Sequence, residues 1–133
     1  MRVAQLMQSP VTTVSREATV GEAILTLADQ HISAVPVVDH RGAMLGVLSS
    51  TDILEAESAA TDRAARDQLF EDTPVEELMT PRPLTIGPEA DIRDAAREML
   101  YSDVHRLFVE LDGELVGVIS RTDIVRAFAI QRA

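Results

Sequence analysis

Leu45-Gly46-Val47-Leu48-Ser49-Ser50-Thr51-Asp52-Ile53-Leu54 returns 71 residues later as Val116-Gly117-Val118-Ile119-Ser120-Arg121-Thr122-Asp123-Ile124-Val125. Each copy is an apolar, β-prone run that ends at Ser-x-x-Asp, the spacing at which a serine and an acidic residue cap the start of a helix. An internal repeat decides architecture before any single element does. Toward the N-terminus the match continues at an offset of 72. Leu6-Met7 recurs as Leu78-Met79, Val14 and Glu17-Ala18 as Ile86 and Glu89-Ala90, and Val20, Ala23, Leu27 as Ile92, Ala95, Met99. The one-residue slip falls in the turn before Gly113, where deletions are tolerated best.

Each copy reads as strand, helix, strand, strand, helix, an α/β (α+β) fold. Val11 to Val14 and Leu84 to Ile86 are short β-rich runs ending at turn residues. A helix follows Thr19-x-x-Glu22, with the apolar stripe Val20, Ala23, Ile24, Leu27 and Ala28. Its partner follows Asp91 and Asp94, with Ile92, Ala95, Ala96, Met99 and Leu100. Two strands come next, Ala34 to Asp39 and Met44 to Ser49 around Gly42, or Arg106 to Leu111 and Leu115 to Ser120 around Asp112-Gly113, a hairpin signal. The boundaries are 6–57 and 78–130. Residues 58–77 are expected to extend the second helix and then run as a solvated, partly ordered connection. Copies of this size bury too little surface to stand alone, so the two are expected to pack together.

Composition removes most other readings. Among 133 residues, 22 acidic side chains face 12 basic ones, a net charge of −10 that argues against a nucleic-acid surface. A hydrophobic share of 46% supports a packed core. With no cysteine, thiolate metal sites and Cys nucleophiles are excluded, and His31, His40 and His105 are the only imidazoles. No Gly-rich phosphate loop, His-Glu-x-x-His or Asp-rich metal loop is present, so neither catalysis, a catalytic cofactor nor a metal site is expected. No apolar stretch is long enough to cross a bilayer, and Met1-Arg2-Val3-Ala4-Gln5 lacks the apolar core of a signal peptide. A cytoplasmic location with no membrane partner is the expectation.

Ile32-Ser33-Ala34-Val35-Pro36-Val37-Val38-Asp39, followed by Gly46-Val47-Leu48-Ser49-Ser50-Thr51-Asp52 and the second Gly117-Val118-Ile119-Ser120-Arg121-Thr122-Asp123, resembles a tandem pair of CBS domains, the cystathionine-β-synthase type regulatory module. The resemblance runs from Leu6 to about Ala129 and is closest to standalone two-repeat CBS proteins. It implies two repeats packed about a pseudo-twofold axis (a Bateman module), with clefts that hold adenine nucleotides or related adenosyl ligands. Carried over by position, one cleft would use Thr12, Thr13, Ile32, Ser33 and Ala34 with Ser120, Thr122 and Asp123. The other would use Leu84, Thr85, Val104, His105 and Arg106 with Ser49, Thr51 and Asp52.

The residue chemistry fits such a ligand. An ionised Asp52 or Asp123 can accept hydrogen bonds from both hydroxyls of a ribose. Hydroxyls and free N–H groups at a helix start suit phosphate. Ile32 and Ala34 could wall an adenine ring. The same Ser-x-x-Asp residues fit plain helix caps, and the two roles can coexist.

His105-Arg106 stands where the first copy has Ser33-Ala34. The pair is similar to one in the γ subunits of AMP-activated kinase that contacts nucleotide phosphates. In so acidic a chain, a bidentate Arg and a titratable His are the groups to bring to an anion. The competing reading pairs Arg106 with Glu110 or Asp103. Arg121 is a further candidate for phosphate, whereas Arg41 and Arg82 read as loop charges. Phe108 replaces Pro36 and Leu84 replaces Thr12, so the clefts are not equivalent. The one closed by Asp123 is favoured, and the one closed by Asp52 is expected to be narrowed by Arg106.

The function expected is regulatory sensing: a nucleotide biases the arrangement of the repeats, and an unknown regulated protein reads the result. The alternative is a ligand-free structural dimerisation and interaction module. A homodimer through helix faces is expected, with Ile124, Phe128 and Ile53 either contributing to it or filling the chain's own core.

Overall fold

The computed structural model describes residues 1–81 and 83–132 of the chain, which leaves Arg82 outside the described residues. Its strands are β1 (Val14–Ser15), β2 (Ala34–Val38), β3 (Met44–Ser49), β4 (Thr80–Pro81), β5 (Thr85–Ile86), β6 (Arg106–Leu111) and β7 (Glu114–Ser120). Its helices are α1 (Val20–Gln30), α2 (Ser50–Ala59), α3 (Arg63–Glu71), α4 (Ile92–Ser102) and α5 (Arg121–Arg132). The chain forms two compact units, 12–83, and 1–11 together with 84–133. This is the α/β (α+β) organisation of two repeated units that the sequence leads us to expect.

In unit 12–83 a four-stranded sheet runs in the order β1-β2-β3-β4, with β1 parallel to β2 and the remaining pairs antiparallel. Val14, Val35, Val37 and Leu48 point into one core with Ala23 and Leu27 of α1 and with Val75. Burying a Val or Leu side chain of this kind stabilises by about 1.5–3 kcal/mol. Thr19 caps α1 by accepting the Glu22 N–H at 3.1 Å. His31 ends the helix in the left-handed conformation at φ 53°. The helix buries Val20, Ala23 and Leu27, while Ala28, expected in the stripe, is exposed.

The connection differs from the expected extension of the second helix. α2 stops at Ala59 because Ala60 is extended, and Asp62 then caps a separate helix by accepting the Ala65 N–H at 2.8 Å. That helix, α3, packs on α1 where residue 21 has no side chain: a Cβ on Gly21 would fall 2.7 Å from the Phe70 carbonyl oxygen.

The other unit repeats the design with the three-stranded sheet β5-β6-β7. Leu107, Val109 and Ile119 pack with Ile92, Ala95 and Met99 of α4, with Ile124 and Ala127 of α5, and with Val3. Asp112 (φ 52°) and Gly113 (φ 84°) form the two-residue turn joining β6 to β7, a conformation that suits Asp-Gly. Leu100, expected in the apolar stripe of α4, is 70% exposed.

Each unit is completed by the segment that precedes the other repeat in sequence. Val3 donates its N–H to the Ala90 carbonyl at 2.8 Å, and the equivalent Val75 donates to the Ala18 carbonyl at 2.8 Å. Ile92 donates to Met1 and Val20 to Thr73, both at 3.0 Å. Leu6-Met7 therefore packs in the unit of the second repeat, and Leu78-Met79 in that of the first.

Candidate functional site

Both Ser-x-x-Asp turns are complete capping boxes. Ser49 Oγ accepts the Asp52 N–H at 3.1 Å, and Asp52 Oδ2 accepts the Ser49 N–H at 2.9 Å. Ser120 and Asp123 reproduce those two distances. The turns leave a β-strand in extended geometry and enter a helix whose first-turn amides of Ser50 and Asp52, or of Arg121 and Asp123, are already bonded, with an exposed threonine, Thr51 or Thr122, between them.

The second oxygen of each carboxylate is met by a residue not singled out in the sequence. Asp52 Oδ1 accepts the Thr80 hydroxyl at 3.3 Å. Asp123 Oδ1 takes a long contact of 3.4 Å from the Gln8 amide, with the Arg126 guanidinium 3.9 Å away. Gln8 and Thr80 are equivalent at the offset of 72. That equivalence was legible, but it placed each residue in its own copy, and only the exchanged segments bring it to the other. Asp123 is 8% exposed, whereas Asp52 is half-buried.

Each turn is tied to the segment leading into the first long strand of its own unit. Ser50 donates its N–H to the Ser33 carbonyl at 2.8 Å, and Arg121 donates to the His105 carbonyl at 2.9 Å. One unit thus gathers Ile32, Ser33 and Ala34 with Ser49, Thr51 and Asp52. The other gathers Val104, His105 and Arg106 with Ser120, Thr122 and Asp123. Ile32 packs against the core and Ala34 is half-buried, while Ser33 is exposed. Thr12 and Thr13 precede β1 instead of lying within it, because pairing with β2 begins only at Val14. Thr85 opens β5, and Leu84 before it is exposed.

His105 and Arg106 are both exposed. Among the described residues Arg106 has no salt-bridge partner, so the competing pairing with Glu110 or Asp103 is not formed. Arg121 is differently placed from a free phosphate ligand. Its Nε donates to the Val104 carbonyl at 2.9 Å and its Nη2 to the Met99 carbonyl at 3.2 Å. The stripe offered for a dimer is intramolecular: Ile124 is 3% exposed, and Phe128 and Ile53 pack against the cores of their units. The exposed apolar side chains on the helices are instead Leu25, Leu54, Leu100, Tyr101, Val125 and Ile130.

Two strand-helix-strand-strand-helix units with matching Ser-Asp turns define a duplicated α/β protein. The chain belongs to the CBS-domain family, whose description it matches over residues 3–59 and 75–130. It is similar to the chloroplastic CBS domain-containing protein CBSX1 of Arabidopsis thaliana, at 30% identity over 86% of this chain and 57% of that protein. It thus spans little more than half of that relative's length. It is also similar to the CBS domain-containing protein YhcV of Bacillus subtilis, at 30% identity over 92% of this chain and 81% of that one. Among solved structures, CBSX2 in complex with AMP has a TM-score of 0.83 at 27% identity, covering 99% of this chain and 98% of that one. The CBS-domain protein ATU1752 of Agrobacterium tumefaciens has a TM-score of 0.79 at 26% identity, covering 96% and 99%.

No helix among the described residues is long and apolar enough to cross a membrane.

Proposed function

We propose that this chain is a non-catalytic, cytoplasmic regulatory module that binds an adenine nucleotide or related adenosyl ligand and passes the resulting change to a partner protein. The observation that carries the reading is the exposed His105-Arg106 pair, which has no salt-bridge partner among the described residues of a chain of net charge −10 and is tied through the His105 carbonyl to the turn bearing Asp123. An exposed guanidinium on a strand whose lead-in is bonded to a carboxylate-bearing helix turn suits a ligand with an anionic end and a diol. The solved CBSX2 structure, in complex with AMP, supports the same class of ligand.

The ligand residues are Thr12, Thr13, Ile32, Ser33 and Ala34 with Ser120, Thr122 and Asp123 for the adenosine, and His105 and Arg106 for its phosphates. Val104, Thr85, Ser49, Thr51 and Asp52 form the second set. A ligand that favours one state of the protein shifts the population by its difference in affinity for the two.

Isothermal titration with AMP, ADP, ATP and S-adenosylmethionine tests the proposal. Saturable heat with at least one, lost in Arg106→Ala, supports it, and no heat with any of them overturns it. The ligand-free interaction module is the second reading. It is favoured by the engagement of both Asp123 oxygens within their own unit.

The oligomer is proposed to be a homodimer. Residues 12–83 hold 13 acidic and 5 basic side chains, while 1–11 with 84–133 hold 9 and 7. Exposed Leu100 and Val125 lie on α4 and α5, where Arg93, Arg97 and Arg126 are also exposed. Leu25 and Leu54 lie on α1 and α2 among Glu22, Asp29 and Glu55. Two copies that set the first face on the second bury apolar surface and pair opposite charges.

A further inference from the structure

We infer that Arg121 is a positioning residue, which holds the backbone that delivers His105 and Arg106 and does not itself read the ligand. The inference rests on the proposed nucleotide-binding role. One residue makes two bonds to that short segment and a third to the helix before it. The Arg121 N–H meets the His105 carbonyl at 2.9 Å, its Nε the Val104 carbonyl at 2.9 Å, and its Nη2 the Met99 carbonyl at 3.2 Å. Its side chain is 33% exposed, and the nearby carboxylate of Asp103, at 3.7 Å, is 98% exposed and contributes little.

α4 ends at Asp103 in the left-handed conformation, φ 53°, without the glycine that ordinarily relieves such a position. The Met99 carbonyl already accepts the Asp103 and Val104 N–H groups, so the guanidinium adds a further donor there while complementing the negative end of the helix. The other unit provides an internal control. There α1 also ends in a left-handed residue, His31, but the position equivalent to Arg121 is Ser50. Ser50 keeps the backbone bond to Ser33, and among the described residues no side chain donates to the Leu27 or Ile32 carbonyl. The residues delivered in that unit, Ser33 and Ala34, are uncharged. The side-chain clamp occurs where there is a His-Arg pair to aim, so the ordering of that backbone is completed on folding and is not charged to ligand binding.

Two measurements on Arg121→Ala and Arg121→Lys test this. Hydrogen exchange of the ligand-free protein reads the amides of Val104 to Leu107. A clamp predicts exchange faster by roughly tenfold in Arg121→Ala and also faster in Arg121→Lys, because an ammonium cannot span two carbonyls as a fork. Titration with AMP and with adenosine reads the contribution of the phosphate. The expected result is that AMP weakens about tenfold in both variants while adenosine changes little. AMP affinity lost in Arg121→Ala while exchange stays as in the wild type would make Arg121 a direct phosphate contact and overturn the inference. Unchanged exchange in Arg121→Ala overturns it as well. If the wild type binds no nucleotide, the proposed function fails, and exchange at Val104 to Leu107 alone decides whether the clamp exists.

Discussion

The sulfur of Met79 occupies the space that a side chain at residue 46 would need: a Cβ on Gly46 would fall 2.7 Å from it. The Thr80 carbonyl oxygen stands at the same distance, because β4 pairs with β3 at Gly46. Gly117 meets the sulfur of Met7 in the same way, at 2.6 Å, with the Met7 Cβ at 3.1 Å. A glycine in each central hairpin thus receives the methionine of the segment exchanged into that unit.

Gly46→Ala is expected to destabilise the protein by about 1–3 kcal/mol, since overpacking here presses on backbone as well as on a side chain. Gly117→Ala should cost less, because its neighbours are atoms of the more adaptable Met7 side chain. Urea denaturation of the two variants checks the order. Equal midpoints would show that the Thr80 backbone yields as easily as the methionine.

Asp123→Asn separates the cap from the ligand role. An amide oxygen still accepts the Ser120 N–H, so stability should fall by less than about 1 kcal/mol. Adenosine and AMP should both weaken by tenfold or more, because the ribose hydroxyls lose an anionic acceptor. Ser120→Ala removes the hydroxyl that accepts the Asp123 N–H and should cost about 1 kcal/mol of stability, while weakening both ligands less than Asp123→Asn does. Thermal melts and titration on the same samples give both readings.

Acid is expected to loosen the β2–β3 turn and the start of α4, each held by a carboxylate whose pKa lies below the ordinary value. The Asp39 carboxylate accepts N–H bonds from Ala43 and Arg41, which hold its pKa below the ordinary value of 3.8. Asp91 is held low in the same direction by the Arg93 N–H at the start of α4. A carboxylate depressed on folding contributes stability that is present above its unfolded pKa and lost as the pH falls through the folded one. Asp39→Asn and Asp91→Asn should therefore flatten the pH dependence of the melting temperature below about pH 4. A slope unchanged from wild type would remove these two groups from the acid transition.

Leu100→Asp with Val125→Asp should convert the proposed dimer to a folded monomer, since both side chains are exposed, at 70% and 65%, and neither fills the core. Sedimentation of wild type and variant at high micromolar concentration checks it. A wild type that sediments as a monomer would overturn the dimer.

Much of this architecture lay on the surface of the sequence. The recurrence of Gly-x-x-Ser-x-x-Asp located both strand-to-helix turns, Asp112-Gly113 located a hairpin, and the spacing of Val20, Ala23 and Leu27 located a buried helix face. These are local patterns, and each is decided by residues within a few positions of one another. The end of α2 was less legible, because Ala59-Ala60 reads as continuing helix and only the Asp62 cap starts a new one.

The amino-acid sequence by itself determined that there are two copies, what elements each contains and which side chains cap them. Tertiary structure alone decided which copy each Leu-Met segment completes, and so which of Gln8 and Thr80 meets which carboxylate. The reason is degeneracy: equivalent segments in a duplicated chain offer the same side chains to either sheet, and only the folded path of the whole chain distinguishes them. The place of Arg121 was hidden for the same reason, since a guanidinium beside a Ser-x-x-Asp turn has many anionic or carbonyl partners within reach until α4 is set beside it.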